Sequence, residues 1–413
     1  MEWSPEQERA LGAVNDWMTD RGSQVFRLFG GAGTGKTTIA KAIAEGVGGT
    51  VMFGAYTGKA AHVLQTKGCH GAKTIHSMIY HSRDQSAARL KELEQRVLEL
   101  LNELRSELHD EDKHLADSDP RVMELKAQID QERQNVSRPM FQLNYDSEVK
   151  YADLVIIDEC SMVDGAMADD LLFFGTKILV LGDPGQLPPV MGEGFFTKEQ
   201  PDFLLQEIHR QARDNPIIDM AARVRAGESL EVGTWGESRV IPLSEVNPQL
   251  VLDASQLLVG RNATRRDYNR RMRQLLHPEH QSWIPLGGDK LVCLRNNHEV
   301  GLLNGAQWEA MGVLSADEDR IIMKVRSMDN DALLDVEAHS HHLLGRTDAI
   351  PWWSRKEAEE FDYGYAMTVH KSQGSQWDDV VVFDESYCFR EDRHKWLYTA
   401  ITRAAKTITV VKT

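Results

Sequence analysis

The run Gly30-Gly31-Ala32-Gly33-Thr34-Gly35-Lys36-Thr37 constrains this chain more than any other stretch. It satisfies GxxxxGK[ST] and falls between an apolar strand-like segment, QVFRLF at 24–29, and a helical stretch from about Lys36 to Glu45. Glycines let the backbone wrap a phosphate group, so that N–H groups point inward at the start of a helix. Lys36 then supplies a point charge to the β- and γ-phosphates, and the Thr37 hydroxyl suits Mg²⁺. Gly31, Ala32, Gly33, Thr34, Gly35 and Thr38 complete the expected cradle, with ATP and Mg²⁺ as cofactors.

The surroundings repeat that alternation. TVMFGAY at 50–56 precedes a helical stretch from Gly58 to Gln65, and ADLVII at 152–157 and KILVL at 177–181 are further buried strands. Strands alternating with helices imply an α/β fold with a parallel sheet wound on both faces. The strand Leu154–Ile157 runs into Asp158 and Glu159, bringing two carboxylates to the sheet edge where the phosphates sit. Asp158 is expected to hold Mg²⁺ through water, and Glu159 to orient and deprotonate the attacking water. After KILVL comes Gly182-Asp183-Pro184-Gly185-Gln186, a strand-end loop whose fixed amide can detect the γ-phosphate.

Other segments have different periods. From Asp84 to Val136 there is no glycine; Leu90, Leu93, Val97, Leu100, Leu104 and Leu108 recur at three- and four-residue steps, as do Val122, Leu125, Ile129 and Val136. An antiparallel helical hairpin is expected, turning within His109–Pro120, either as a spacer or as an arm touching DNA or a partner. Beyond Pro189 a strand QLLVG (256–260) precedes the basic helix Arg261–Arg273, and Asp289 to about Asp335 carries short β runs with Asn-Gly and Gly turns. Residues 362–413 return to the α/β pattern. Cys69, Cys160, Cys293 and Cys388 form no CxxC pair, so neither zinc nor a disulfide framework is expected. His339, His341 and His342 have no carboxylate or thiol at ligand spacing, and no structural metal is assigned. The formal charge of −16 over 413 residues argues against a protein that coats nucleic acid, while leaving room for a local groove. No apolar run approaches the ~20 residues of a membrane helix, and the acidic start MEWSPEQERA is unlike a secretory signal.

DECSM at 158–162 and GDPGQLPPV at 182–190 resemble motifs II and III of superfamily 1 helicases, most closely the RecD/Dda-like branch. Further segments follow in family order. Ser4-Pro5-Glu6-Gln7 resembles the adenine-contacting segment, implying that role for Gln7. Thr57-Gly58-Lys59-Ala60-Ala61 and Thr74-Ile75-His76-Ser77 resemble the motifs that grip a DNA backbone. Ile208-His209-Arg210 resembles motif IV, Thr368-Val369-His370-Lys371-Ser372-Gln373-Gly374 motif V, and Tyr398–Ala404 motif VI. The resemblance implies γ-phosphate contacts from Arg210 and Arg403, a nucleotide-side place for Gly374, and strand contacts from Thr57, Gly58, Lys59, Thr74, His76, Thr368, His370 and Lys371; His76 could equally be a core histidine. Tyr56, Trp352, Trp353 and Trp377 stand between stacking and packing.

The fold so implied is two RecA-like parallel-sheet motor domains, 1–82 with 138–197 and 198–286 with 360–413. A helical hairpin (83–137) is inserted in the first and a small SH3-like β-barrel (287–359) in the second. The implied activity is an ATP-dependent DNA helicase moving 5′→3′, a monomer in bacterial or phage-infected cytosol. Its partners would be single-stranded and forked DNA and a single-strand-binding or replisome protein, with no membrane. An RNA or RNA–DNA helicase, or an assembly subunit that only binds nucleotide, stays open. The relatives carry a short β-hairpin pin where 83–137 lies, so the duplex-splitting wedge is expected in this arm or in Pro139–Tyr145.

Overall fold

The computed structural model describes residues 3–20, 22–107, 119–136, 141–188, 194–207, 215–280, 282–297, 300–350, 354 and 357–413. Two compact units emerge: Met1–Thr74 with Ala152–Asp169 and Thr176–Thr413, and Ile75–Tyr151 with Asp170–Gly175.

The first unit opens with α1 (Pro5–Thr19). A capping box starts it: Ser4 Oγ accepts from the Gln7 N–H, and the Gln7 carboxamide oxygen accepts from the Ser4 N–H. Next come β1 (Val25–Gly30), α2 (Lys36–Gly46), β2 (Val51–Ala55), α3 (Gly58–Thr66) and β3 (Lys73–Thr74). The second unit holds α4 (Ile75–Ile79), β4 (Tyr80–Ser82), α5 (Arg83–Glu107), α6 (Pro120–Val136) and β5 (Phe141–Leu143). Then β6 (Leu154–Asp158), α7 (Gly165–Leu172), β7 (Ile178–Gly182) and β8 (Phe203–Leu205) complete a six-stranded parallel sheet in the order β3-β2-β6-β7-β1-β8. Its central strands are continuous apolar runs because helices shield both faces.

A second sheet follows. After α8 (Pro216–Arg225) come β9 (Gly233–Trp235), β10 (Ser238–Pro242), α9 (Pro248–Asp253), β11 (Gln256–Val259) and α10 (Asn262–Leu276). The chain continues through β12 (Lys290–Cys293), β13 (Gln307–Ala316), β14 (Arg320–Ser327), β15 (Leu333–His339) and α11 (Ser340–Leu343). It ends with β16 (Phe361–Tyr363), β17 (Ala366–Thr368), β18 (Trp377–Asp384), α12 (Arg393–Ile401) and β19 (Ala404–Lys412). The second sheet runs β17-β11-β18-β19-β10-β9, parallel except for β9. Strands β12–β16 form an antiparallel sheet, β15-β14-β13-β12-β16. Its edges approach each other, since the Glu359 N–H donates to Glu337 O at 2.7 Å and the His339 N–H to Glu359 O at 2.9 Å. The fold class read from the sequence, α/β with a parallel RecA-like core and further sheets, is the one observed.

The basic helix is largely spent on the fold. Arg265 pairs with Asp362, and buried Arg273 donates to Asp289 and to the Ser282 and Ile284 carbonyls. The histidine run meets Arg320 and two acids: His339 contacts Arg320, while His341 and His342 lie 3.8 Å from Asp319 and 3.5 Å from Glu360. Among the described residues no helix is long and apolar enough to cross a membrane.

In the second unit α5 and α6 pack through Leu93, Val97, Leu101, Val122 and Ile129, with Leu100, Leu104 and Leu125 at the margin. The seam therefore follows a four-residue ridge onto Leu101, where the sequence periodicity pointed to Leu100. Leu90, Leu108 and Val136 lie outside the described side chains. At the foot of the hairpin β4 and β5 pair antiparallel, Tyr80 opposite Leu143 and Ser82 opposite Phe141. Three residues per strand are too few for a readable alternation, and this ribbon was not expected.

Candidate nucleotide and strand site

The phosphate loop forms because β1 must turn sharply into α2. Gly33 and Gly35 take φ of 78° and 81°, a region open to glycine, and Gly35 caps the helix. Thr34 Oγ1 donates to Gly31 O at 2.9 Å, and Lys36 Nζ donates to Gly30 O at 2.7 Å and Gly31 O at 3.0 Å. Gln7 is already engaged in its capping box, which takes its carboxamide oxygen.

Asp158 ends β6 beside α2, hydrogen-bonded to Thr37 and close to Lys36. Glu159 follows in the left-handed region, φ 52° and ψ 44°, which costs a non-glycine residue about 1–3 kcal/mol and is a feature found at functional sites. Burial raises both carboxyls above their ordinary range. Lys36 opposes this at Asp158; Arg403 opposes it at Glu159, where Asp158 adds to the rise. Arg403 is itself buried and braced by the Thr399 and Ser375 carbonyls at 3.1 and 3.2 Å, so its charge faces Glu159 from fixed backbone.

Residues from the second sheet reach this loop directly. The Tyr398 hydroxyl, on α12, accepts from the Ala32 N–H at 3.0 Å and donates to buried Asp183. Asp183 also accepts from the Gly185 N–H at 3.0 Å. Next to it, Thr399 Oγ1 accepts from the Leu187 N–H at 2.9 Å, and Gln373 Nε2 donates to Leu187 O at 3.0 Å. Gln186 is buried in this loop, and among the described residues its Oε1 has no hydrogen-bond partner. The loop after β7 is thus stitched to both α12 and the Gln373 turn.

The expected strand contacts divide. Thr57 caps α3 by accepting from the Ala60 N–H at 3.1 Å, and Gly58 begins the helix. Gly374, φ 79°, lies so close that a Cβ there would meet Ala60 Cβ at 2.7 Å and Thr57 Oγ1 at 3.3 Å. Lys59 is ion-paired with Asp329 in the β14–β15 turn. Thr368 ends β17 and accepts from the Lys371 N–H at 3.4 Å; burial lowers Lys371 to about 8. Burial also lowers His370, whose ring lies 5.4 Å from Phe389. Thr74 is buried at the end of β3. His76 belongs to the second unit, 5.8 Å ring to ring from Tyr80.

Of the aromatics, Trp377 donates to Gln307 at 2.7 Å in a packing role, and half-buried Tyr56 has its hydroxyl pKa raised by burial. In the second unit Tyr145 is exposed, edge-on to Phe173. Arg210, Trp352, Trp353 and the 139–140 part of the segment Pro139–Tyr145 lie outside the described residues. Sequence reasoning passed over Tyr398, Asp183, Thr399 and Gln373 although all four stand inside quoted motifs. Ser4-x-x-Gln7 also carried an unread signal, the spacing of a capping box.

A family model described as AAA domain matches residues 2–241. The chain belongs to the AAA-domain family. Within this AAA-domain chain, residues 363–411 match a UvrD-like helicase C-terminal domain, which contains Thr368–Gly374 and Tyr398–Arg403. The ATP-dependent RecD2 DNA helicase of Deinococcus radiodurans is 28% identical over 408 residues, 93% of this chain and 46% of the relative. RecBCD subunit RecD of Mycobacterium tuberculosis is 24% identical over 291 residues, 63% of this chain and 49% of that one. The chain spans about half the length of these curated relatives. Among solved structures, Bacteroides Pif1 bound to ssDNA superposes with a TM-score of 0.52 at 18% identity, covering 99% and 92% of the two chains. Pif1 helicases at forked dsDNA superpose at 0.54 and 19%, with the same coverage. The resemblance to superfamily 1 helicases of the RecD/Dda-like branch is borne out.

Proposed function

We propose that the AAA-domain chain is an ATP-dependent DNA helicase that moves 5′→3′ on single-stranded DNA, hydrolysis being coupled to closure of two motor domains. The observation that carries this reading is the bridge from Tyr398 on α12 to Ala32 in the phosphate loop, with Arg403 facing Glu159: one nucleotide site drawing on both parallel sheets. The names of the relatives, DNA helicases and Pif1 on single-stranded and forked DNA, support the choice of track and substrate. We read 1–82 with 138–197 and 198–286 with 360–413 as the motors, and 83–137 and 287–359 as insertions.

In this reading Lys36, Arg210 and Arg403 contact the phosphates. Water attacks the γ-phosphorus, its proton passes to Glu159, and the bond to the bridging oxygen breaks with its electron pair leaving on ADP. A carboxylate raised by burial is a stronger base than a free one, which suits Glu159 to that task. Thr37 and Asp158 are adjacent oxygen donors, a set that fits Mg²⁺ and would hold it. Bound there, the ion would neutralise charge on the phosphate oxygens. Thr57, Gly58, Lys59, Thr74, His76, Thr368, His370 and Lys371 would take DNA phosphates, and Gln186, Gln373 and Gly374 would relay between strand and nucleotide. Lining by hydroxyls, cations and backbone N–H suits sequence-independent grip. Working as a monomer in the cytosol beside a single-strand-binding or replisome protein completes the proposal.

ATP turnover with and without single-stranded DNA tests it. Wild type should be stimulated by the strand, and Arg403→Ala should lose ~10³–10⁵ in rate while still binding ATP. Equal turnover in the two proteins would remove the coupling.

A further inference from the structure

The helix α8 ends in two arginines with different fates. Its buried face, Ile217, Met220, Ala221 and Val224, packs in one core with Trp396 and Tyr398, so α8 and α12 share a core beside the phosphate loop. Arg223 is spent on Asp219 at 3.3 Å, Glu228 at 3.7 Å and the face of Trp235. Arg225 is exposed and, among the described residues, its side chain makes no hydrogen bond or ion pair, though its charge acts on the Tyr398 hydroxyl. Its side chain instead lies across the two loops that frame the nucleotide site. Nη1 stands 2.8 Å from where a Cβ on Gly31 would be, and Cδ 3.3 Å from the same point on Gly185.

Gly31 shows what this contact demands. Unlike Gly33 and Gly35, it is not among the positive-φ glycines, so its backbone does not require glycine. A side chain there would meet the end of the Arg225 guanidinium first, with the Tyr398 hydroxyl 3.5 Å away. The guanidinium lies beside the Tyr398 hydroxyl that donates to Asp183, and it also faces a loop of inward N–H groups built to gather an anion. The anion that a GxxxxGKT loop gathers is the polyphosphate.

We infer that Arg225 is a further guanidinium for the transferring phosphate, delivered by the second parallel-sheet half on the Gly31 side, in addition to Arg403 beside Glu159. The inference rests on the ATPase reading above. While water attacks the γ-phosphorus, Glu159 takes its proton and the bridging oxygen leaves with its electron pair on ADP. Arg225 donates N–H to the γ-oxygens and keeps its own protons throughout. Such a donor strengthens as charge spreads over those oxygens, so it acts on kcat more than on binding.

The test uses the full chain with single-stranded DNA, comparing wild type with Arg225→Ala, Arg225→Gln and Arg225→Lys. Read out are single-turnover ATP hydrolysis, ADP affinity by a fluorescent analogue, and thermal melting. Expected is a ~10²–10³-fold fall in kcat for Arg225→Ala and Arg225→Gln, as for loss of one preorganised donor, with ADP affinity and melting unchanged. Arg225→Lys should recover part of the rate, since it restores charge without the fork. Wild-type kcat in Arg225→Ala and Arg225→Gln would overturn the inference and leave the ATPase reading standing. So would a loss confined to KM and ADP affinity, the mark of uniform binding. No turnover in wild type would instead sink the ATPase reading, and this inference with it.

Discussion

Replacing Tyr398 by Phe removes one oxygen and nothing else. That oxygen accepts from the Ala32 N–H and donates to Asp183, which is 1% exposed. Asp183 keeps its bond from Gly185, so the carboxylate is weakened in support without being orphaned. A hydrogen bond to a charged group contributes about 1.5–3 kcal/mol and a neutral one about 1 kcal/mol. In the proposed cycle the phosphate replaces the neutral bond at Ala32, so about 2 kcal/mol from the charged one is at stake when the halves close. That corresponds to roughly a 30-fold lower population of the closed, hydrolysing arrangement. Single-turnover hydrolysis at saturating ATP and single-stranded DNA should therefore slow by roughly 30-fold. The ring stays, so the packing of Tyr398 with Trp396 and Val224 should keep the melting temperature near wild type. An unchanged single-turnover rate would refute the claim that this hydroxyl ties closure to chemistry.

Three further outcomes follow from the geometry. Burial raises Glu159, so as pH falls the base gains its proton earlier than a free glutamate near ~4.3 would. The acid limb of kcat should lie above that value and disappear in Glu159→Gln, whereas a midpoint at or below it would contradict the assignment. Asp329→Ala frees Lys59 from its ion pair and should tighten binding of single-stranded DNA by roughly fivefold, about 1 kcal/mol, measured by anisotropy; equal or weaker binding would show that Lys59 does not grip the strand. Deleting residues 86–135 removes every named residue of the α5–α6 seam and leaves the β4–β5 residues of the foot. Unwinding should be lost with DNA-stimulated ATPase largely intact, and undiminished unwinding would exclude this arm as the wedge.

The phosphate loop and the Asp158–Glu159 pair were legible because each is a contiguous segment at the end of a strand, where local pattern and position coincide. Arg403 was legible only through resemblance, its meaning depending on a carboxylate 244 positions earlier in the chain. The partnership of Tyr398 with Ala32 and Asp183 could not be read, since nothing local marks a hydroxyl that crosses from one sheet to the other. Arg225 was hidden for the same reason: at the end of a helix its charge looks like an ordinary dipole complement to the last turn. Lys59 looked like a free phosphate ligand until the β14–β15 turn brought Asp329 to it. In the hairpin, three- and four-residue steps gave the helices but not the choice between Leu100 and Leu101. That choice depends on how the two ridges meet, which a single helix does not encode.

Unwinding of matched duplexes with a 5′ or a 3′ single-stranded tail, followed with ATP and Mg²⁺, tests the central claim most directly. The account predicts strand separation of the 5′-tailed duplex, dependent on ATP and abolished in Lys36→Ala. ATP-dependent separation of the 3′-tailed duplex alone would reverse the direction of travel, and no ATP-dependent separation of either would contradict the motor itself.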